Sequence, residues 1–285
     1  MILPAFIEIE TSSLCNRQCT WCPTGILKNR NTQELLDWGT FLSVLQELAN
    51  AKYSGWIALH NFNEPLLNKR LDMEIRMIKS LLPDARSVVF TNGDMLDYDR
   101  CLLLQEAGTH SVRVTLYPEF DFSDRPNPDV IYSFLNKSNL NAKCNWHIDD
   151  SRQGISGYGK ISGMEVEIIV PDIRRYVQRG GVDSCISNLR TSPCYMTSHS
   201  IAVDYQGRVK MCCNVVPEIP DNMQYLVGDI RKSSLLSIWD GNAMRNFRQL
   251  HQKSDWSQTP ICVNCTQELP LSEVAKVTSM FDEHL

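Results

Sequence analysis

Three cysteines, Cys15, Cys19 and Cys22, follow a short apolar stretch at residues 6–10 that reads as a β-strand. Their C-x3-C-x2-C spacing places three thiolates on one short loop. Iron–sulfur clusters are normally held by four cysteines, so three thiolates would bind three irons of a cubic [4Fe–4S] cluster and leave the fourth iron open for chemistry. The spacing therefore predicts a reactive cluster just after the first strand.

Two other interpretations of this cysteine run stay open at the level of sequence. Zinc takes three cysteines and a fourth ligand, although structural zinc sites favour two C-x2-C knuckles and the run contains one. Three cysteines could also be core residues, since free cysteine packs as a small hydrophobe. We favour the cluster because coincidental core cysteines would not be expected at this spacing.

Composition limits the classes of protein that this chain can represent. Its 285 residues suit one large domain, or one domain and an appendage. The sequence contains no apolar run of about 18 residues, so no membrane span is predicted. A net charge of −5 argues against a nucleic-acid partner. Eleven cysteines without a recognisable signal peptide favour metal ligation over disulfides, and hence a reducing cytoplasm.

The first half of the chain alternates strand-like and helix-like segments, which predicts βαβ units and a parallel sheet. Predicted strands are residues 6–10, 56–62, 87–91, 111–116, 143–148 and 165–170, the last after a Gly/Ser-rich loop at 151–163. Predicted helices are residues 40–51, 71–82, 98–107 and 130–135. Right-handed crossovers would curl six units into a partial (β/α)6 barrel with its site at the carboxyl ends of the strands. A doubly wound sheet without a cluster fits the same periodicity.

Cysteines become frequent in the sequence after about residue 185. We therefore predict two domains, residues 1–184 and 185–285. Residues 201–211 read as a β-hairpin whose turn is marked by Gln206-Gly207. The second region would therefore be a small appended domain, a β-hairpin plus helix.

A second set of cysteines falls in this C-terminal region. Cys194 and Cys212 would lie near the two ends of the hairpin, and Cys262 and Cys265 form a C-x2-C knuckle. Four thiolates from three segments can hold a complete [4Fe–4S] cluster. A closed four-thiolate cage is also the structural site of zinc, and that alternative stays open here.

Both cysteine sets resemble those of the radical S-adenosylmethionine (SAM) enzymes, in which the open iron binds SAM and an electron cleaves it to methionine and a 5′-deoxyadenosyl radical. The second set resembles the shortened SPASM appendage called a twitch domain, which holds one auxiliary cluster. The resemblance implies SAM, two [4Fe–4S] clusters, a flavodoxin- or ferredoxin-type electron donor, and no nucleic-acid or membrane partner. The implied cluster ligands are Cys15, Cys19, Cys22, Cys194, Cys212, Cys262 and Cys265.

The resemblance also suggests where SAM binds. The family usually carries Gly-Gly-Glu-Pro after its second strand, and here Asn63, Glu64 and Pro65 occupy the matching positions without the glycines. The missing glycines put close approach of the backbone in doubt. Thr91 and Asn92, at the end of the third predicted strand, resemble the family's polar contact to SAM, although Asn-Gly is also a common turn dipeptide.

Two residues are candidates for a direct part in the reaction. Arg179, followed by two glycines, resembles the Arg-Gly-Gly of twitch-domain dehydrogenases that oxidise 2-deoxy-scyllo-inosamine, and it could clamp a substrate hydroxyl or carboxylate. A helix-terminal turn with a solvated arginine is the alternative. Cys213 is surplus to the four-cysteine set and would point away from Cys212 if both lay in a strand. It resembles the hydrogen donor of radical SAM epimerases.

The expected substrate is a sugar or aminocyclitol of natural-product biosynthesis, and the expected reaction is epimerisation with Cys213 as donor. Two-electron dehydrogenation of the same substrate class, or modification of a ribosomal peptide, is the alternative. A simple packing role for Cys213 also stays open.

Overall fold

The computed structural model describes residues 2–19, 22–27, 32–117, 126–151, 154–172 and 190–265. The strands are β1 (Phe6–Ile9), β2 (Trp56–Ala58), β3 (Arg86–Thr91), β4 (Ser111–Thr115), β5 (His147–Ser151), β6 (Gly154–Ile161), β7 (Met164–Pro171), β8 (Ser200–Val203), β9 (Arg208–Lys210) and β10 (Leu226–Asp229). The α-helices are α1 (Pro23–Ile26), α2 (Trp38–Asn50), α3 (Leu71–Leu81), α4 (Tyr98–Ala107), α5 (Pro128–Lys137), α6 (Met196–His199), α7 (Leu235–Trp239) and α8 (Asn242–Gln252).

These ten strands form one sheet in the order β10-β9-β8-β1-β2-β3-β4-β7-β6-β5. Five parallel pairings run through its centre, from β8 through β1, β2, β3 and β4 to β7. Helices α2, α3 and α4 supply the crossovers between β1, β2, β3 and β4, since parallel neighbours need a long return connection. The predicted α/β class is confirmed.

The predicted arrangement around β5 is wrong. The strand expected at residues 143–148 is β5, which begins at His147 and pairs antiparallel with β6 rather than joining the parallel set. The expected loop at 151–163 contains β6. Its glycines suggested a loop, but they serve close packing instead: a Cβ on Gly159 would lie 2.7 Å from the Cys144 Sγ atom.

The predicted C-terminal hairpin is confirmed, since β8 and β9 pair antiparallel. Gly207 has a φ of +81°, a left-handed conformation that glycine adopts without strain. The Asp204 Oδ1 atom accepts hydrogen bonds from the backbone N–H groups of Gln206 and Arg208, which closes the turn. Strand β8 also pairs in parallel with β1, so one sheet continues from the N-terminal region into the C-terminal region. The proposed boundary at residue 184/185 lies outside the described residues and stays a prediction.

The side chains of strand β1 point alternately to the two faces of the sheet near its centre. Ile7 and Ile9 are fully buried in the hydrophobic core together with Phe41 and Leu45 of α2. Because strand side chains alternate, Glu8 points to the opposite face, where it lines a cavity. No helix among the described residues is long and apolar enough to cross a membrane.

Helix α2 also makes a polar contact with the C-terminal region. The carboxylate of Glu47 accepts hydrogen bonds from the backbone N–H groups of Leu235 and Leu236, both at 2.8 Å. These are the first residues of α7, whose N–H groups have no partner within the helix. One N-terminal side chain therefore caps a helix nearly 190 residues later in the chain.

We expect Glu47→Ala to lower the free energy of unfolding by about 1–3 kcal/mol, because it leaves two helix-end donors unpaired. The neighbouring exposed residue offers a matched control, Gln46→Ala, which should change stability by less than about 0.5 kcal/mol. Urea denaturation followed by circular dichroism measures both. Equal stability of the two variants would contradict the capping role.

Candidate functional site

The loop that follows β1 is held in shape by its own backbone. The Cys22 N–H group donates to the Cys19 carbonyl at 3.1 Å, and Gly25 and Ile26 donate to the Cys22 carbonyl. Helix α1 begins directly after Cys22, with Pro23 at its first position. A Cβ on Gly25 would lie 2.3 Å from the Cys19 carbonyl oxygen, so the turn requires glycine there.

This loop borders a cavity of about 210 Å³ at the carboxyl ends of the parallel strands. Cys15, Cys19 and Cys22 all line the cavity, and Thr115 and Pro171 mark the ends of β4 and β7 on its far side. Burial raises the pKa of the Cys15 thiol to about 11. Three thiols and the strand ends therefore share one recess, as expected for a site in a parallel α/β fold.

A buried carboxylate joins the segment that follows β2 to the end of β3 beside this cavity. Glu64 is 1% exposed, and its oxygens accept from the Thr91 hydroxyl at 2.7 Å, the Asn92 N–H at 2.7 Å and the Leu66 N–H at 3.1 Å. Burial raises the pKa of Glu64, while these hydrogen bonds act in the opposite direction. The Glu64 carboxylate therefore links the segment after β2 to the end of β3.

The loop that carries Cys15, Cys19 and Cys22 is tied to the end of β3 by an exposed polar network. Arg17 donates to both carboxylate oxygens of Asp94, and this contact lowers the pKa of Asp94. The Asn92 Nδ2 group donates to the Asn16 Oδ1 atom at 2.9 Å. A bidentate Arg–carboxylate pair fixes direction as well as distance, so the loop has a defined position over the cavity.

A chain of polar side chains crosses the cavity wall into the C-terminal region. Lys210 is fully buried, and its Nζ group donates to the Asn61 Oδ1 atom at 2.5 Å and to the Cys213 and Val215 carbonyls. The Asn61 Nδ2 group in turn donates to the Glu8 Oε2 atom at 2.9 Å. The Glu8 carboxylate is thereby held at the cavity surface through an amide that the lysine orients.

The second set of cysteines surrounds a smaller cavity of about 20 Å³. Cys194, Cys212, Cys262 and Cys265 all line it. Burial is the largest cause of the raised pKa of Cys262. The Asn214 Nδ2 group donates to the Cys265 Sγ atom at 3.4 Å, and Asn214 borders both cavities.

Cys212 and Cys213 do not lie in a strand, so the alternation expected for them is wrong. β9 ends at Lys210, and the two cysteines follow it in a turn. Cys213 nevertheless lines the first cavity while Cys212 lines the second. A hydrogen bond between their side chains lowers the pKa of Cys212 and raises that of Cys213.

Comparison with known proteins gives matches along most of the chain. A family model of the radical SAM superfamily matches residues 9–119, and a model of SPASM, an iron–sulfur cluster-binding domain, matches residues 194–266. The chain is 26% identical over 266 residues to the S-adenosyl-L-methionine-dependent 2-deoxy-scyllo-inosamine dehydrogenase of Niallia circulans, and the match covers 92% of each.

The chain carries a radical SAM domain and an iron–sulfur cluster-binding SPASM domain. It is an enzyme that uses SAM and iron–sulfur clusters, and the resemblance inferred from its cysteines is confirmed. Two solved structures share the fold. BtrN in complex with AdoMet and 2-DOIA superposes with a TM-score of 0.66 at 22% identity, over 94% of this chain and 98% of BtrN. Native anSMEcpe with bound AdoMet gives 0.56 at 12% identity, over 98% and 96%.

The predicted site residues of this radical SAM enzyme are partly brought together. Asn63, Glu64, Thr91 and Asn92 line the first cavity with the three cysteines, and Pro65 follows Glu64 in a short 3-10 helix. Arg179 lies outside the described residues, so its role stays a prediction.

The sequence analysis did not assign three polar residues that line the cavity, Glu8, Arg17 and Asn61. It also did not assign Asp94 and Lys210, which contact Arg17 and Asn61. Glu8 did carry a recognisable pattern, because a charged residue between Ile7 and Ile9 must face away from the core that buries both isoleucines. Lys210 carried no such pattern, since nothing local distinguishes a buried lysine from a solvated one in a hairpin.

We expect Glu64→Gln to lower the free energy of unfolding by about 1–3 kcal/mol. The amide NH2 group would face a hydrogen-bond donor from which the carboxylate oxygen now accepts. Chemical denaturation measures the change. Glu34→Gln is the matched control, since Glu34 is exposed and makes one 3.3 Å contact with Gln206. A loss no larger than the control's would contradict the role of Glu64 as the link between β2 and β3.

Proposed function

We propose that this enzyme oxidises a hydroxyl-bearing carbon of an aminocyclitol or amino sugar to a ketone. The match to an aminocyclitol dehydrogenase over 92% of both chains is the observation that carries the proposal. The polar lining of the first cavity supports it, because a polyhydroxylated, amino-bearing ring needs hydrogen-bonding partners of both kinds. Glu8 offers an acceptor there, and Arg113 offers a donor.

We further propose two sets of cluster ligands. Cys15, Cys19 and Cys22 would hold a [4Fe–4S] cluster with one open iron, and a second set would hold a closed one: Cys194, Cys212, Cys262 and Cys265. Among the residues that the structure describes, no three His, Cys, Asp or Glu side chains converge on a point where one metal ion could bind. The match of residues 194–266 to an iron–sulfur cluster-binding domain supports a cluster over zinc at the four-cysteine site.

Oxidation of a CH–OH group to C=O removes one hydrogen atom, one proton and one electron. SAM and the open-iron cluster, when bound, would supply the chemistry that removes the hydrogen atom. Glu8 is the proposed acceptor of the proton, because its carboxylate is held at the cavity surface by Asn61. The electron would leave towards the four-cysteine site. Asn214 borders both the first cavity and the cavity of that site.

Two further assignments remain proposals. A flavodoxin- or ferredoxin-type protein would supply the electron that cleaves SAM. The abundance of thiols, eleven cysteines in all, suits a reducing cytoplasm as the place of action.

Epimerisation is a second candidate reaction, favoured by the presence of Cys213 at the first cavity. The substrate radical would take a hydrogen atom from the Cys213 thiol on the opposite face, leaving a sulfur radical. One electron from the ferredoxin-type donor and one proton from solvent would restore the thiol. Dehydrogenation needs no such donor, so Cys213 separates the two reactions.

Anaerobic reconstitution should load about eight irons, and the triple variant Cys15→Ala/Cys19→Ala/Cys22→Ala should retain about four. The same variant should form no 5′-deoxyadenosine with dithionite and SAM, because no open iron remains. Iron and zinc analysis together with chromatography of the nucleoside products checks both. One equivalent of zinc with about four irons in the parent would contradict a cluster at the four-cysteine site.

The product made from 2-deoxy-scyllo-inosamine in deuterated water decides the reaction. Dehydrogenation predicts one ketone per 5′-deoxyadenosine, and Cys213→Ala should still form that ketone. Epimerisation predicts an inverted carbon carrying one solvent-derived deuterium, because a thiol exchanges with solvent, and Cys213→Ala should abolish it. Mass spectrometry and NMR of the product distinguish these results. An inverted, deuterated product would overturn the dehydrogenase proposal.

A further inference from the structure

A buried histidine borders the second cavity without belonging to the four-cysteine set. His251 lies in the last turn of α8 and is 2% exposed. Its Nε2 atom is 3.8 Å from the Cys262 Sγ atom, and its Nδ1 atom is 3.5 Å from the Thr197 Oγ1 atom. Its backbone carbonyl also accepts from the Cys194 N–H group at 3.1 Å. One residue therefore contacts two of the four cysteines.

The surroundings hold the imidazole ring in one orientation. Its centroid lies 5.2 Å from the ring of Trp256 and 6.2 Å from the ring of Phe247. Thr197 is fully buried on the Nδ1 side. A ring packed on two aromatic side chains and contacted at both nitrogens has little freedom to rotate, so the contact with Cys262 is a built feature of the site.

Chemistry decides which nitrogen carries the hydrogen once Cys262 binds iron. A cysteine that ligates iron is a thiolate and has no hydrogen to give. The hydrogen in the contact with Cys262 must then come from the Nε2 atom of His251. The Nδ1 atom is left as an acceptor for the Thr197 hydroxyl, so the three side chains form one directed chain of hydrogen bonds.

We propose that His251 is a positioning residue that donates a hydrogen bond to the Cys262 thiolate and raises the reduction potential of the cluster at the four-cysteine site. The proposal rests on the ligand set assigned above. A donated hydrogen bond stabilises the extra negative charge of the reduced cluster, and hydrogen bonds to cluster sulfurs are one of the factors that set its potential. A higher potential favours transfer of the electron released by the substrate.

Asn214 supplies a second donor to a different sulfur. Its Nδ2 group contacts Cys265, and both residues line the second cavity with the histidine. Because the two donors act on different ligands, the effect of removing His251 should be partial. Asn214 borders the first cavity as well, so His251 is the cleaner residue to test.

The test is a redox titration followed by electron paramagnetic resonance on the reconstituted full chain. The background carries Cys15→Ala, Cys19→Ala and Cys22→Ala, so that one cluster signal remains. His251→Phe keeps a flat ring between Phe247 and Trp256 but removes the donor, and His251→Gln restores an N–H group. His199→Phe is the matched control, since His199 is also buried but does not line the second cavity.

In His251→Phe we expect the ratio of reduced to oxidised cluster at a fixed potential to fall about tenfold, which is a shift of about 59 mV for a one-electron couple. His251→Gln should recover most of the shift, and His199→Phe should show none. Thr197→Val, which removes the hydroxyl that orients the ring, should shift the potential in the same direction by less. A potential unchanged in an iron-loaded His251→Phe variant would overturn the proposal.

Iron content separates this proposal from the ligand assignment on which it rests. About four irons in the background chain with an unchanged potential in the histidine variant would disprove the role of His251. The assignment of the four cysteine ligands would stand. A background chain without iron would disprove the four-cysteine cluster itself. If His251→Phe loses iron, Thr197→Val decides, because it leaves the imidazole in place.

Discussion

The parallel pairing of β8 with β1 is the contact on which the arrangement of both cysteine sets depends. Phe6 to Ile9 pair with Ser200 to Val203, residues almost 200 positions apart in the chain. This pairing extends the parallel sheet with the C-terminal hairpin, and the turn after β9 then reaches the cavity beside the first cysteine loop. Without it, Cys213 and Asn214 would not border the same cavity as Cys15.

Hydrogen bonds from buried and half-buried side chains then connect the two regions. Lys210 reaches from the hairpin to Asn61 near the end of β2, and Glu47 reaches from α2 to the first N–H groups of α7. Such contacts are costly to break, because each leaves a buried donor or acceptor unpaired. They make the relative position of the two cavities a property of the fold, which matters if an electron passes from one to the other.

The same constraint explains why so many cavity side chains have structural partners. The family's SAM contacts were expected at Glu64, Thr91 and Asn92. Their side chains instead form hydrogen bonds with one another and with Asn16 in the loop after β1. Their part in cofactor binding would therefore be to shape the loops and present backbone groups. Glu8 accepts a hydrogen bond from Asn61 and lines the cavity.

The spacing of Cys15, Cys19 and Cys22 determined the superfamily, because three thiolates on a short loop are a local property that sequence displays directly. The alternation of strands and helices determined the α/β class for the same reason. What local sequence could not decide was pairing. Residues 143–163 joined the antiparallel edge, since glycines that suggest a loop also permit close packing within a strand.

Only the tertiary structure decided that Cys213 borders one cavity and Cys212 the other, because that depends on a turn and not on strand alternation. It alone also brought Lys210 to Asn61 and His251 to Cys262, since long-range contacts between buried polar groups leave no periodic trace in the chain.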